Sequence, residues 1–290
     1  MRFQLFCDSN SEIPWTLAEE FGLQVVHMPY VLKDVEYAYD LGKNTDFKEF
    51  YRLVREGNMP TTCALNTEDY IEIYEPTLAG GQDILMISFS AALSGTHEML
   101  EQARIQLLEK YPARTFQVVN TLGISMGAGI LVYYAAQMWK DGKSMEEIIA
   151  WVTDNRQNMQ HWFTVDDLHH LKRGGRISGT AATMGTLLEI KPLLTVNSEG
   201  RLVVVEKAKG RKRAIKAMVE HFFESAVEPE THLISVLHAD ALEDAEYMVS
   251  LLHEKYTLPQ LRIDYVGPVI GTHCGPGTLA LCFLGKERIK

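Results

Sequence analysis

The sequence has little with which to cross-link itself or to span a membrane. Its four cysteines, Cys7, Cys63, Cys274 and Cys282, are scattered without C-x-x-C spacing, so neither a disulfide framework nor a thiol redox motif is expected. No run of about 18 apolar residues is available to cross a bilayer. The chain opens MRFQLFCDSN, without the basic-then-apolar order of a secretory leader. A reduced, cytoplasmic protein is expected, with at most transient membrane contact. Basic charge is also scarce: 28 Lys and Arg stand against 38 Asp and Glu, a formal net charge of −10. That balance leaves no broad positive face for a phosphate backbone, and nucleic acid is not expected as a partner. His161, His169, His170, His221, His232, His238 and His273 include no H-E-x-x-H or similar ligand spacing, so no metal is expected. A G-x-x-x-x-G-K-[ST] nucleotide loop is missing too. No cofactor is expected.

What the chain does have is apolar material in strand-length runs. With 290 residues, 46% hydrophobic and 23% charged, it can bury the core of roughly two ordinary domains. FQLFC (3–7), LQVVHMPYVL (23–32), DILMIS (83–88) and TFQVVN (115–120) are each followed by a helical pattern, which predicts an α/β domain with a mainly parallel sheet. In THEMLEQARIQLLEKY, Leu100, Ala103, Leu107 and Leu108 fall on one helical face and are read as core. Ser144 and Glu147 match a capping box behind a helix closed by Asp141-Gly142. Beyond residue 160 the pattern changes. IKPLLTV and RLVVVEKA flank the turn Asn197–Gly200 as a hairpin, and helices are predicted over about 210–225 and 241–255. The expected fold is therefore two-domain α/β. Residues 1–160 form a mainly parallel sheet with flanking helices, residues 161–290 form an α/β domain with a mixed sheet, and a ligand sits between them.

Several segments carry chemistry. ILMISFSAALSGTHEM leads from a strand into a helix through hydroxyls, with Ser94 and Gly95 where the helix begins; free amides there attract an anion, although a serine at that place also serves as a plain N-cap. MPTTCALNTEDY supplies Thr61 and Thr62, and Thr62 could face Ser94 across the carboxyl edge of the sheet, where open α/β sheets bind ligands. Two neutral hydroxyls with backbone amides suit one carboxylate. LHHLKRGGRISGT sets Lys172, Arg173 and Arg176 around Gly174-Gly175, a flexible basic turn before a helix. It reads either as a phosphate or partner-docking site or as a solvated loop. GPVIGTHCGPG places His273 on a glycine-rich loop. Gly123-Ile-Ser125-Met-Gly127 is formally a nucleophile elbow, but Ser125 lies several residues past its strand, and the small residues equally suit close helix packing. Ser94 or Ser125 with His273 leaves open a serine hydrolase or acyltransferase. A nucleotide-using phosphoryl-transfer enzyme is the remaining alternative. Asp166-Asp167 is read as capping or hydrated rather than as an acid/base pair.

Taken in order, DSNSEIP, PTTCALN, ISFSAALSGT, VDDLHHLKRGGRIS, IKPLLTVNSEG and GPVIGTHCGPG resemble the DegV family of bacterial fatty-acid-binding proteins, whose members deliver a bound acyl chain to a fatty acid kinase. The resemblance spans nearly the whole chain. It implies a non-enzymatic lipid-binding subunit whose ligand is a long-chain fatty acid and whose partner is a fatty acid kinase. It also implies that Thr62 and Ser94, with the Gly95 amide, bind the carboxylate, and that Thr61, Ser125 and His273 are secondary binding candidates. Arg173 or Arg176, with His273, would face the phosphate or the kinase, joined by a basic residue after the hairpin such as Lys209 or Arg211. Two segments depart from the family pattern, Thr61–Leu65 and Asn120-Thr121, and these bear on chain-length and saturation preference.

Overall fold

Three sheets organise the chain. The computed structural model describes residues 3–177 and 190–289. The first sheet is parallel, with order β2 (Gln24–Val26), β1 (Phe3–Asp8), β6 (Asp83–Ser88), β7 (Phe116–Asn120). Its central strands FQLFCD and DILMIS are apolar along their length because both faces are covered, as a parallel sheet requires. The second sheet is mixed, with order β10 (Leu202–Lys209), β9 (Ile190–Val196), β8 (Met159–Thr164), β13 (Leu279–Leu284), β11 (Ile234–His238), β12 (Leu261–Tyr265). In it the predicted hairpin pairs antiparallel, Leu202 opposite Val196. The third is a small antiparallel sheet, β4 (Val35–Ala38), β3 (Pro29–Leu32), β5 (Thr61–Thr62). This is the mixed α/β architecture read from the pattern of apolar runs.

One helix joins the two large sheets. Met126–Lys140 buries Met126 through Val132 and also Ala135, Ala136 and Trp139, so it is apolar nearly all round, as a helix enclosed on every side must be. It packs on β1 from the parallel sheet and on β8, β11 and β13 from the mixed one, and its Trp139 indole donates to the Phe3 carbonyl at 3.2 Å. Helices Thr67–Ala79 and Thr96–Lys110 lie together on the parallel sheet. Helices Arg211–Ser225 and Leu242–His253 cover the mixed one. The Ser144 capping box forms, with Glu147 bonding back to the Ser144 amide at 2.8 Å.

Two sequence expectations are corrected. The run LQVVHMPYVL is not one strand: it breaks at His27-Met28 into β2 and β3, which belong to different sheets. The Met28 amide is taken by Ser9 Oγ at 2.9 Å, and Pro29 has no N–H to continue a ladder. The glycine-rich GPVIGTHCGPG is not a loop either. Pro268 starts a short helix, Pro268–Cys274, that ends at Gly275, so His273 sits in its last turn. The helix expected after Gly174-Gly175 lies outside the described residues.

Candidate functional site

The carboxyl ends of β1 and β6 are held by one buried carboxylate. Asp8 accepts the Asn10 amide at 3.0 Å through Oδ1 and the Phe89 amide at 3.0 Å through Oδ2, and burial pushes its carboxyl up to about 7. The two loops so fixed form part of the wall of a cavity. Its lining comes from loops that follow the strands of the parallel sheet and from strands of the mixed and the small sheets, including Thr62, Phe89, Ser94, Ile124, Trp162 and Val266. The cavity measures about 110 Å³, where one water needs roughly 10–15 Å³. The space behind Ser94 is therefore a real void rather than packed side chains.

Thr62, Ser94, Arg176 and His273 all border this cavity. Thr62 Oγ1 and His273 Nε2 are 3.0 Å apart, and His273 Nδ1 is buried with no hydrogen-bond partner among the described residues. Burial, with Arg176 and Arg173 adding to it, pushes His273 down to about 4, so the ring is neutral at pH 7. An orphan acceptor is easier to tolerate than an orphan donor, which assigns the proton to Nε2. His273 then donates to Thr62, and the threonine hydroxyl is free to donate onward into the cavity. Helix Pro268–Cys274 comes this close to helix His169–Arg173 because the residue closing the latter is Gly174; a Cβ there would overlap His273 Nδ1. Ser94 is not the N-cap, which is Gly95; from the residue before it, its Oγ accepts the Thr96 amide at 3.2 Å and shares a hydrogen bond with Thr96 Oγ1 at 2.5 Å. The two arginines separate cleanly. Arg176 is half-buried at the cavity and donates through Nε to the Leu93 carbonyl at 3.1 Å. Arg173 is exposed, lies against Met59 and His170, and does not border the cavity.

Other candidates fall elsewhere. Thr61 is exposed and pairs with Val31 in the small sheet, and Gly95 is exposed at the start of helix Thr96–Lys110, where Thr96 rather than Gly95 meets the cavity. Arg211 pairs with Asp244 at 2.8 Å and does not border the cavity. Lys209 closes β10. Asp167 Oδ1 accepts the His169 amide at 2.8 Å from the residue before the N-cap Leu168, and Asp166 pairs with Lys191 at 2.7 Å. Ser125 is buried at the cavity but bonds the carboxylate of Glu12. Among the described residues neither Ser94 nor Ser125 hydrogen-bonds a histidine, and no group of three or more His, Cys, Asp or Glu is placed to hold a metal ion. No helix among them is long and apolar enough to cross a membrane.

Glu12 is the residue that sequence reading missed. Buried at 4% exposure, it accepts from the Ser125 hydroxyl and from the Gly267 amide, linking three distant segments, and burial pushes its carboxyl up to about 8. The segment DSNSE thus uses nearly every residue. Asp8 fixes two loops, Ser9 holds Met28, the Asn10 carbonyl accepts the Ser125 amide at 2.9 Å, and Glu12 bridges to Gly267. The only signal in the sequence was the density of polar residues directly after an apolar strand.

Comparison with known proteins agrees with this arrangement. A DegV domain-containing protein of Clostridium perfringens (strain 13 / Type A) is 43% identical over 287 residues, covering 99% of each chain. Among solved structures, a fatty-acid-binding DegV family protein from Thermus thermophilus is 30% identical with a TM-score of 0.85, and DegV, a fatty acid binding protein from Bacillus subtilis, is 29% identical with a TM-score of 0.82. Each match covers 99% of this chain and 100% of the other. A family model described as "Uncharacterised protein, DegV family" matches residues 2–286. With the resemblance running through every segment that builds the cavity, the chain belongs to the DegV family.

Proposed function

We propose that this protein binds a long-chain fatty acid in the cavity between its N-terminal part, 1–160, and its C-terminal part, 161–290, and presents the carboxyl group to a partner fatty acid kinase. The single observation that carries the reading is the joint lining of one largely apolar cavity by Thr62, Ser94, Arg176 and His273. It is supported by the fatty-acid-binding relatives from Thermus thermophilus and Bacillus subtilis. Affinity comes from the tail: about fifteen methylenes at roughly 0.8 kcal/mol each give on the order of 12 kcal/mol of gross driving force before ordering costs. The head must give up its water, and the Thr62 and Ser94 hydroxyls replace those hydrogen bonds. Arg176, rather than Arg173, supplies the positive charge that an acyl phosphate would need at the mouth. The chemistry belongs to the kinase, and the protein works as a cytoplasmic carrier with no cofactor of its own.

Mass spectrometry of lipid co-purified with the protein should find a long-chain acid, and Thr62→Ala and Ser94→Ala should each weaken fatty acid binding several-fold, the loss of about one hydrogen bond. Equal binding by both variants and wild type would remove the head-group assignment. Absence of any acyl ligand, together with failure to bind added oleate or palmitate, would remove the function.

A further inference from the structure

Besides the head-group residues, the cavity wall carries further polar side chains. Asn10 lies in the turn Ser9–Ser11, is 3% exposed and borders the cavity. Its backbone is fully used: the amide donates to Asp8 Oδ1 and the carbonyl accepts from the Ser125 amide. Its side-chain Oδ1 is buried and, among the described residues, has no hydrogen-bond partner. A leucine of nearly the same shape would avoid that desolvation cost, which is unrecovered as long as the amide has nothing to bond.

Ser125 stands beside it on the same wall. The residue is held at φ 55, ψ −149, a conformation that suits glycine and that a serine adopts only under constraint. Its hydroxyl is hydrogen-bonded to Glu12. Because the hydroxyl donates to Glu12, its lone pairs remain free to accept a further hydrogen bond. The wall also carries apolar side chains, Met28, Phe89, Ile124 and Val266 among them. Neither Asn10 nor Ser125 is needed for the carboxylate, which Thr62 and Ser94 serve.

We propose that Asn10 and Ser125 form a recognition site for an oxygen carried on the acyl chain itself, so that the cavity prefers a hydroxylated long-chain acid to the unsubstituted acid. A chain hydroxyl would accept from the Asn10 amino group and donate to Asn10 Oδ1 or Ser125 Oγ, satisfying an acceptor that a plain alkyl chain leaves stranded. A site built to bond a hydroxyl discriminates against the ligand that lacks it. This inference rests on the fatty acid reading above. A trapped water is the competing occupant, and it would confer no preference between the two acids.

The test is displacement of a fluorescent fatty acid by stearate and by monohydroxystearates whose hydroxyl lies near the carboxyl, at mid-chain or near the methyl end. One positional isomer should outcompete stearate by several-fold to about tenfold, the range of one net hydrogen bond. Asn10→Leu should remove that advantage while binding stearate at least as well as wild type. Ser125→Gly, which the left-handed φ favours, should reduce the same ratio and serves if Asn10→Leu does not fold. Stearate binding without preference for any hydroxylated isomer would overturn this proposal alone, as would an advantage that survives both variants. Failure to bind any of the acids would overturn the fatty acid function and this proposal with it.

Discussion

His273 shows how burial sets a residue's chemistry. Placed in the last turn of a short helix, with Nε2 on Thr62 and Nδ1 enclosed against Gly174, it has no solvent to stabilise a charge. The consequence is that the ring takes no proton across the range in which an ordinary histidine titrates. Its half-protonation is expected near pH 4 rather than 6.5, and 13C NMR of the labelled imidazole, assigned with His273→Asn, should show the neutral form throughout pH 6 to 8. A titration step near 6.5 would mean that the site is open to water and that the Thr62 contact is not maintained. The sequence brought Thr62, Ser94, Arg176 and His273 forward as candidates because their residue types suit a carboxylate. It could not choose between Arg173 and Arg176, because only the two glycines of a turn separate a solvent-facing side chain from a cavity-facing one, and the Leu93 carbonyl that Arg176 reaches is 83 positions away.

At the scale of elements, the approach of helix Met126–Lys140 to β8 depends on the absence of a side chain. A Cβ on Gly127 would overlap His161 Nε2, and that nitrogen already accepts the Ile124 amide at 3.3 Å while Nδ1 donates to the Met159 carbonyl at 3.1 Å. The G-x-S-x-G spacing therefore serves packing here. Gly127→Ala is expected to cost roughly 1–3 kcal/mol or more, the usual range for overpacking. Because the clash is with one side chain, Gly127→Ala should cost less in a His161→Ala background, a coupling of about 0.5–3 kcal/mol in a double-mutant cycle of chemical denaturation. Additive losses would place the clash with the backbone instead. Helices with strong periodicity and caps, such as Ser144-capped Met145–Asn155, were legible because their signals are local. The break between β2 and β3 was less so, since an apolar run reads as continuous until it is known that Ser9 takes the Met28 amide. The Pro268–Cys274 helix was hidden by glycines whose use is close approach to other elements: a Cβ on Gly271 would sit 2.5 Å from the Tyr51 hydroxyl.

For the molecule as a whole, Glu12 ties the turn after β1 to the start of the helix that joins the sheets and, through the Gly267 amide, to the start of helix Pro268–Cys274. Its partners stand 113 and 255 positions away in sequence, a separation that no local pattern can reveal. The protonation of this carboxyl couples overall stability to pH. Burial raises Glu12 from 4.5 to about 8, with Asp264 adding to the rise and the Ser125 and Gly267 bonds opposing it. Between those values the folded chain holds a proton that the unfolded chain has lost, so the contribution of this group is whole below 4.5 and is lost as pH rises towards 8. Asp8, raised from 3.8 to about 7, acts in the same direction. His273, lowered by burial, acts in the opposite one, its contribution being whole above 6.5 and declining as pH falls towards 4. Glu12→Gln isolates the first of these. The amide has nearly the shape of the protonated acid and can still accept from Gly267, yet cannot ionise. The midpoint of thermal unfolding, followed by circular dichroism from pH 5 to 9, should therefore move in favour of Glu12→Gln as pH rises, because Asp8 and His273 contribute equally to both proteins and cancel in the difference. A difference that stays constant with pH would mean that Glu12 is already ionised in the folded protein and that its three-way link is held by a charge rather than by a neutral acid.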